Sequence, residues 1–310
     1  LSRSIAFVIP ILLNLFVAGI ETQAQAVANG KIAFVSNRSG QFQVYTIDPD
    51  GSNLRQLTFN SGSNWHPSWS GDGLQIAFVS DWANAKNDIF VMDADGSNIR
   101  NITNTPEVAE HAPVWSPDGE YIAYQRGRTG SAVGSELYVM NADGTHQSKV
   151  FGEDSETNIP SAWSPDSIRI AFASSRGDEP KPLYRTFFAF YQIHQDGTGQ
   201  EPLGYGGLRL APPDWSSDGD YFLYGDEFGM VVIAKIGADR SEDFIWLHHL
   251  GTNNGDPRWS PDGQQVVYQH DWNIYVGPVA EGEPLQLTHS EFTVSNIEPD
   301  WQPLPPFEVD

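Results

Sequence analysis

The chain has 310 residues and a formal net charge of −23, with 17 Lys and Arg against 40 Asp and Glu. So acidic a surface repels phosphate backbones, which excludes nucleic-acid recognition through a basic face. Without cysteine there is no disulfide, thiol nucleophile, zinc–thiolate centre or cysteine-borne lipid. Hydrophobic residues at 39% and aromatics at 12% supply a large core and exclude general disorder, while 29 Gly and 21 Pro suit a turn-rich all-β chain.

Residues 1–26 read as an address. Arg3 precedes an apolar run from Ile5 to Ile20, and Ala24-Gln25-Ala26 offers the small-x-small exit that a signal peptidase accepts. The expectation is a signal peptide cleaved near Ala26, with an uncleaved N-terminal anchor as the rival. The mature chain, 27–310, is then expected in the periplasm or secreted. No later apolar stretch approaches spanning length.

From residue 30 onward a repeat organises the sequence. Its marks are Trp69-Ser-Gly-Asp-Gly73, Trp115-Ser-Pro-Asp-Gly119, Trp163-Ser-Pro-Asp-Ser167, Trp215-Ser-Ser-Asp-Gly219 and Trp259-Ser-Pro-Asp-Gly263, followed by Trp301-Gln302-Pro303. Successive tryptophans lie 46, 48, 52, 44 and 42 residues apart. Periods of this length built from short strands signal a propeller or a solenoid. In each unit a Pro-x-Trp strand enters a turn where Pro presets φ and Gly takes the left-handed corner. An apolar strand such as Ile76-Ala-Phe-Val79 follows, then a variable loop and a third strand such as Ile89-Phe-Val-Met92. A hairpin such as Asp93-Ala-Asp-Gly96 leads to the outer strand.

The ends favour a ring. The first copy starts at Lys31-Ile-Ala-Phe-Val35, the second strand of the unit, and Glu298-Pro-Asp-Trp301 supplies a spare first strand at the other end. Joined, they complete one blade and leave no orphan edge. The expected fold is all-β: a six-bladed β-propeller of four-stranded antiparallel blades, closed by a C-terminal strand that completes the N-terminal blade.

The unit Pro-x-Trp-Ser-Pro-Asp-Gly, Ile-Ala-Phe, Ser-x-Arg-x-Gly, Ile-Tyr-Val-Met-Asp-x-Asp-Gly, Leu-Thr resembles the repeat of the TolB-like, WD-repeat-like six-bladed propeller family. The best stretches are 31–58 and 67–103. The pattern weakens where Ser167 replaces Gly and where Gly237-Ala-Asp-Arg240 replaces the Asp-x-Asp-Gly hairpin. The resemblance implies the propeller fold and a binding habit among envelope proteins. TolB carries a separate α/β domain before its propeller, and here only about four residues separate the expected cleavage site from the first blade. A single propeller over 27–310 is therefore expected, without membership of the Tol-Pal machine being implied.

Several residue sets compete for a functional role. Asp72, Asp118, Asp166, Asp218 and Asp262 read as turn formers rather than catalytic acids. Asp48/Asp50 with Asn53, and Asp93/Asp95 with Asn98, look like calcium-loop fragments but lack the full ligand spacing, and Asp-Gly is a hairpin signal. The repeat tryptophans read as spacers between blades, and Trp246 as outer-strand packing.

In propellers, function concentrates where repeats differ, at one mouth of the channel. Three residues before each repeat tryptophan stand His66, Ala112, Pro160, Pro212, Asp256 and Glu298, and one position earlier come Trp65 and His111. His66, His111, Asp256 and Glu298 suit a bound peptide or a divalent metal, calcium or a transition metal. Trp65, Trp82 and Trp272, with Tyr205 near them, fall in loops assigned to the same mouth and suit protein anchors or sugar stacking. Arg176, Lys181 and Arg185, in the insertion 175–190, form the densest positive stretch and could receive an anion.

The leading expectation is a non-catalytic propeller that binds an envelope or extracellular protein or peptide at one mouth. The alternatives are a polysaccharide-binding module and a metal-assisted polysaccharide lyase or hydrolase. A prolyl-peptidase-like activity would need an α/β-hydrolase domain, and the chain has no Gly-x-Ser-x-Gly elbow.

Overall fold

The computed structural model describes residues 28–304 apart from 84–85, 128–133, 153–155, 177–188, 205–212, 227–228, 238–243, 248–249, 252–253 and 291–292. Six four-stranded antiparallel sheets form the blades. Blade I orders β24 (Asn296–Leu304), β1 (Ala28–Ser36), β2 (Gln43–Ile47) and β3 (Arg55–Gln56). Blade II holds β4 (Asn64–Trp69), β5 (Gln75–Ser80), β6 (Asp88–Asp93) and β7 (Arg100–Asn101). Blade III holds β8 (Glu110–Trp115), β9 (Tyr121–Gly127), β10 (Ser135–Asn141) and β11 (Ser148–Phe151). Blade IV holds β12 (Asn158–Trp163), β13 (Arg169–Ser174), β14 (Ala189–His194) and β15 (Glu201–Gly204). Blade V holds β16 (Asp214–Trp215), β17 (Tyr221–Gly225), β18 (Val231–Lys235) and β19 (Phe244–Trp246). Blade VI holds β20 (Asn254–Trp259), β21 (Gln265–His270), β22 (Asn273–Pro278) and β23 (Leu285–Gln286).

The ring closes as the ends of the repeat require. β24 pairs with β1 through Ile32↔Trp301, Ala33↔Asp300 and Ser36↔Asn296. Both closing strands are longer than the repeat alone indicates, β1 beginning at Ala28 and β24 running from Asn296 to Leu304.

Cores lie between blades, because a four-stranded sheet with two apolar faces must bury each against a neighbour. Trp69 packs among Ala33, Val44 and Leu57 of blade I and Ile76 and Phe78 of its own blade. Trp115 sits likewise with Ala77, Ile89 and Val91 of blade II and Ile122 and Tyr124 of blade III. Each large indole thus fills the wedge between two twisted sheets. Trp246 on β19 is 37% exposed, near the ring of Phe244.

The turn aspartates are fully occupied by the turns. Asp72 Oδ1 accepts from Ser70 Oγ at 2.6 Å and from Leu74 N at 3.0 Å. Asp118, Asp218 and Asp262 repeat the pair of bonds, and Asp166 does so with Ser164 Oγ and Ile168 N. Asp48 and Asp93 accept from Asn53 and Asn98 across their hairpins, both at 2.6 Å.

Antiparallel register sorts the loops onto two mouths. Asn64 pairs with Ser80, Asn158 with Ser174 and Asn254 with His270, so the start of each inner strand neighbours the loop between second and third strands. The Ser-Pro-Asp-Gly turns border the opposite mouth.

Candidate functional site at the channel mouth

Five of the six inner strands carry a bulge just before the tryptophan, and the matching stretch ahead of β16 lies outside the described residues. On β4 the register jumps from Trp65↔Val79 to Ser68↔Ala77, so two residues oppose one. His66, Ala112, Asp256 and Glu298 take left-handed backbone there, with φ of 50°, 47°, 46° and 55°. A non-glycine residue in that region is uncommon and strained, and four at matching positions mark a built feature. Blade IV differs for a physical reason: proline holds φ near −65°, so at Pro160 the extra residue moves on to Ser161. Pro212 lies outside the described residues.

The bulge turns these side chains to the channel. His66, His111, Asp256 and Glu298 line one cavity of about 550 Å³ together with Arg258, Gln125 and Pro160. The His66 and His111 rings stand edge to face at 6.5 Å. Glu298 Oε2 accepts from His66 N at 2.6 Å, and its Oε1 lies 3.4 Å from His66 Nε2. His66 Nδ1 has no hydrogen-bond partner among the described residues.

Enclosure controls the charges. Although 40% of the His66 side chain is open to the channel, blade atoms surround it, and lost hydration lowers its pKa to about 4. The negative charge of Asp256 opposes that shift and Arg258 adds to it. Burial likewise lowers His111 to about 4. It raises Glu298 to about 7, against the pull of the His66 N–H and Arg258, and Asp256 to about 6, with the charge of Glu298 adding to the rise. Around pH 5–6 His66 and Glu298 therefore meet as a neutral pair rather than an ion pair.

Below the bulge, the side chain one before the tryptophan fastens neighbouring blades at three places. Asp300 Oδ2 accepts from Trp69 N at 2.8 Å and Asp214 Oδ2 from Trp259 N at 2.8 Å, while Ser68 Oγ accepts from Trp115 N at 3.2 Å. Burial raises Asp300 to about 7 and pushes Asp214 up as well. Arg258 lines both this cavity and a second one of about 390 Å³ at the opposite mouth. Sequence reasoning stopped at the position three before tryptophan and missed Arg258, Asp214 and Asp300. The signal was present: the position one before the repeat tryptophan is apolar only at Val114 and Ala162 and holds Ser68, Asp214, Arg258 and Asp300 elsewhere.

The other candidates divide. Trp65 is partly buried and packs on Phe42 at 4.1 Å, so it does not line the cavity. Trp82 and Trp272 stand on the rim of the same mouth, 50% and 59% exposed, outside the cavity wall. Arg176 lies over the rings of Tyr191 and Phe151, at 4.3 and 4.8 Å, which makes it a packed cation. Lys181, Arg185, Tyr205 and the expected signal peptide lie outside the described residues. Among the described residues no group of three or more His, Asp or Glu side chains is placed to hold a metal ion, so the four mouth residues share a cavity without forming a coordination sphere. Among them, too, no helix is long and apolar enough to cross a membrane.

Residues 17–133 and 107–271 match the TolB beta propeller domain. The chain belongs to this family. TolB from Acinetobacter baumannii superposes with a TM-score of 0.70 at 20% identity, over 88% of this chain and 66% of that one. A putative TolB from Agrobacterium tumefaciens gives 0.64 at 15% identity, over 83% and 88%. At such identities the likeness is one of fold. In sequence, an uncharacterized protein of Agrobacterium fabrum is 36% identical over 106 residues, 31% of this chain and 36% of that one. The Tol-Pal system protein TolB of Geobacter metallireducens is 47% identical over 47 residues, 15% of this chain and 11% of its own length. The matched stretches thus span about a third or less of these curated relatives.

Proposed function

We propose that this propeller is a periplasmic or secreted, non-catalytic binding protein that takes a protein or peptide segment at the mouth holding His66, His111, Asp256 and Glu298. The observation that carries the reading is the cavity itself. It opens where the blades differ in sequence, and a wall including Ala112, Val114, Ile159 and Pro160 carries a few convergent polar groups whose ionisation is shifted by enclosure. Exposed indoles at Trp82 and Trp272 lie in loops beside the starts of the inner strands, on the same face of the ring. Aromatic anchors around a pocket with a few convergent polar groups form the usual anatomy of a recognition hot spot. Kinship with TolB proteins supports an envelope setting and a protein partner.

The test is affinity capture from the native envelope extract on residues 27–310, followed by calorimetry with the purified partner. His66→Ala and the pair Trp82→Ala with Trp272→Ala are expected to weaken binding at least tenfold, about 1.4 kcal/mol, while leaving the melting temperature near wild type. Binding unchanged in both variants would place the site elsewhere. Retention of oligosaccharides, and of no protein, through Trp82 and Trp272 would replace this reading with a polysaccharide-binding module, and their cleavage would replace it with an enzyme.

A further inference from the structure

Five of the six inner strands can be compared at the residue five before the repeat tryptophan, and four of them hold the same side chain. Asn64, Asn158, Asn254 and Asn296 are each at most 1% exposed. They join their strand to the preceding blade. The backbone N–H of Asn64 donates to Phe42 O at 2.8 Å, that of Asn254 to Gly229 O at 2.8 Å and that of Asn296 to Trp272 O at 3.0 Å. Their side-chain amides add a second bond, Asn158 Nδ2 to Ser135 O at 3.0 Å, Asn254 Nδ2 to Leu250 O at 3.2 Å and Asn296 Nδ2 to Trp272 O at 3.0 Å.

Blade III breaks the series with Glu110, 0% exposed. Its backbone bond is kept, Glu110 N to Asn87 O at 2.9 Å. Its side chain has no amide N–H to play that part: burial raises its carboxyl to about 7, so it offers one shared proton at most below that pH and only accepts above it. Oε1 takes the Thr105 hydroxyl and lies 3.8 Å from Arg126 Nε, beyond hydrogen-bond range, while Oε2 has no hydrogen-bond partner among the described residues. Asp88 of blade II adds a like charge nearby. A buried polar atom without a partner weakens the junction that holds it. Asn158 Oδ1 also lacks one, but the Asn158 amide still donates to Ser135 O of the preceding blade, a bond Glu110 does not replace. The same seam carries a wall of the mouth, since His111 Nδ1 lies 3.2 Å from Asn87 Nδ2 across it.

We propose that the seam between blades II and III, at Glu110, is the weakest of the five described junctions and opens locally, carrying His111 with it and widening the channel mouth. That the widening serves binding rests on the mouth being the binding site; the weakness of the seam does not.

Amide hydrogen exchange on the intact, ligand-free chain tests it, because the amides of Glu110, Asn64, Asn254 and Asn296 all donate to a carbonyl of the preceding blade. The Glu110 amide is expected to exchange about tenfold faster than the other three. Glu110→Asn should slow it to their level without changing theirs, and Thr105→Val should speed it further. Equal protection of all four in the wild-type chain, or no slowing in Glu110→Asn, overturns the weak seam. For the mouth, the ring resonances of His111 should be broadened by exchange and sharpen in Glu110→Asn, whereas those of His270, whose Nδ1 lies 3.0 Å from Asn254 Oδ1, stay sharp throughout. Sharp His111 signals in the wild-type chain overturn the coupling and leave the proposed binding site to its own test.

Discussion

The two mouths of the channel are built from the same repeats and behave oppositely. At one, five turns carry the same serine-to-aspartate bond and the same aspartate-to-backbone bond, so one blade stands for all. At the other, equivalent bulge positions hold His66, Ala112, Pro160, Asp256 and Glu298, and the backbone is strained at four of them. Turn chemistry leaves no freedom at the first mouth. A bulge demands only a backbone conformation, so its side chains are free to differ, and there the enclosed ionisable groups collect.

The sharpest way to break this contrast is to open the ring. Deleting 296–304 removes the ladder partner of β1, the spacer Trp301, and the carboxylates of Glu298 and Asp300 that accept from His66 N and Trp69 N of blade II. Circular dichroism on heating is expected to show no cooperative transition, and an unchanged melting temperature would sink the closure. Next in size, Trp115→Ala empties a wedge between blades and should cost roughly 3–5 kcal/mol in denaturant unfolding. Trp272→Ala, on the rim, should stay within about 0.5 kcal/mol. Equal losses would erase the distinction between spacer and rim.

The fold was legible because its determinants are local and repeated. A Trp-Ser-Pro-Asp-Gly phrase specifies one turn and one wedge, and six tryptophans at near-equal spacing leave little choice of architecture. The site was only half legible. Position relative to the tryptophan gathered His66, His111, Asp256 and Glu298, which line one cavity, but nothing in the residue types announced left-handed backbone at His66 or Glu298. Trp65 was misplaced because a bulge reverses the alternation that a regular strand would keep, and it turned to Phe42 instead. Arg176 looked like an anion contact because charge is visible in a sequence, whereas the rings of Phe151 and Tyr191 that hold it come from other strands.

A smaller effect probes the enclosed charges. Glu298 and Asp300 are raised to about 7 and Asp256 to about 6, so the folded chain holds these protons more tightly than the unfolded chain. Their contribution to stability is complete below the ordinary carboxylate range and is lost as pH rises through about 7. His66 and His111, lowered to about 4, work in the opposite sense, favouring the fold above pH 6.5 and losing that contribution as pH falls through about 4. From pH 6.5 to 7.5 the unfolded imidazoles still release protons, but the folded carboxyls hold more, so the melting temperature should fall modestly across that interval. Glu298→Gln should flatten the fall. A flat wild-type profile would mean that the mouth is hydrated like open surface.

The smallest effect tests whether the conserved-looking mouth is as uniform as its bonds. Ser167 stands where the other turns have glycine, at φ 59° against 69° to 78° for Gly73, Gly119, Gly219 and Gly263. A side chain in that region is strained, yet Ser167 Oγ accepts from Asp118 N of blade III at 3.1 Å, a bond no glycine can make. Ser167→Ala keeps the strain and loses the bond, so it should destabilise by about 1 kcal/mol. Ser167→Gly relieves the strain and loses the bond, so it should stay within about 0.5 kcal/mol of wild type. If alanine is silent, the bond contributes nothing and this mouth is pure turn. If alanine costs and glycine does not, then even here a departure from the repeat has become a tie between blades.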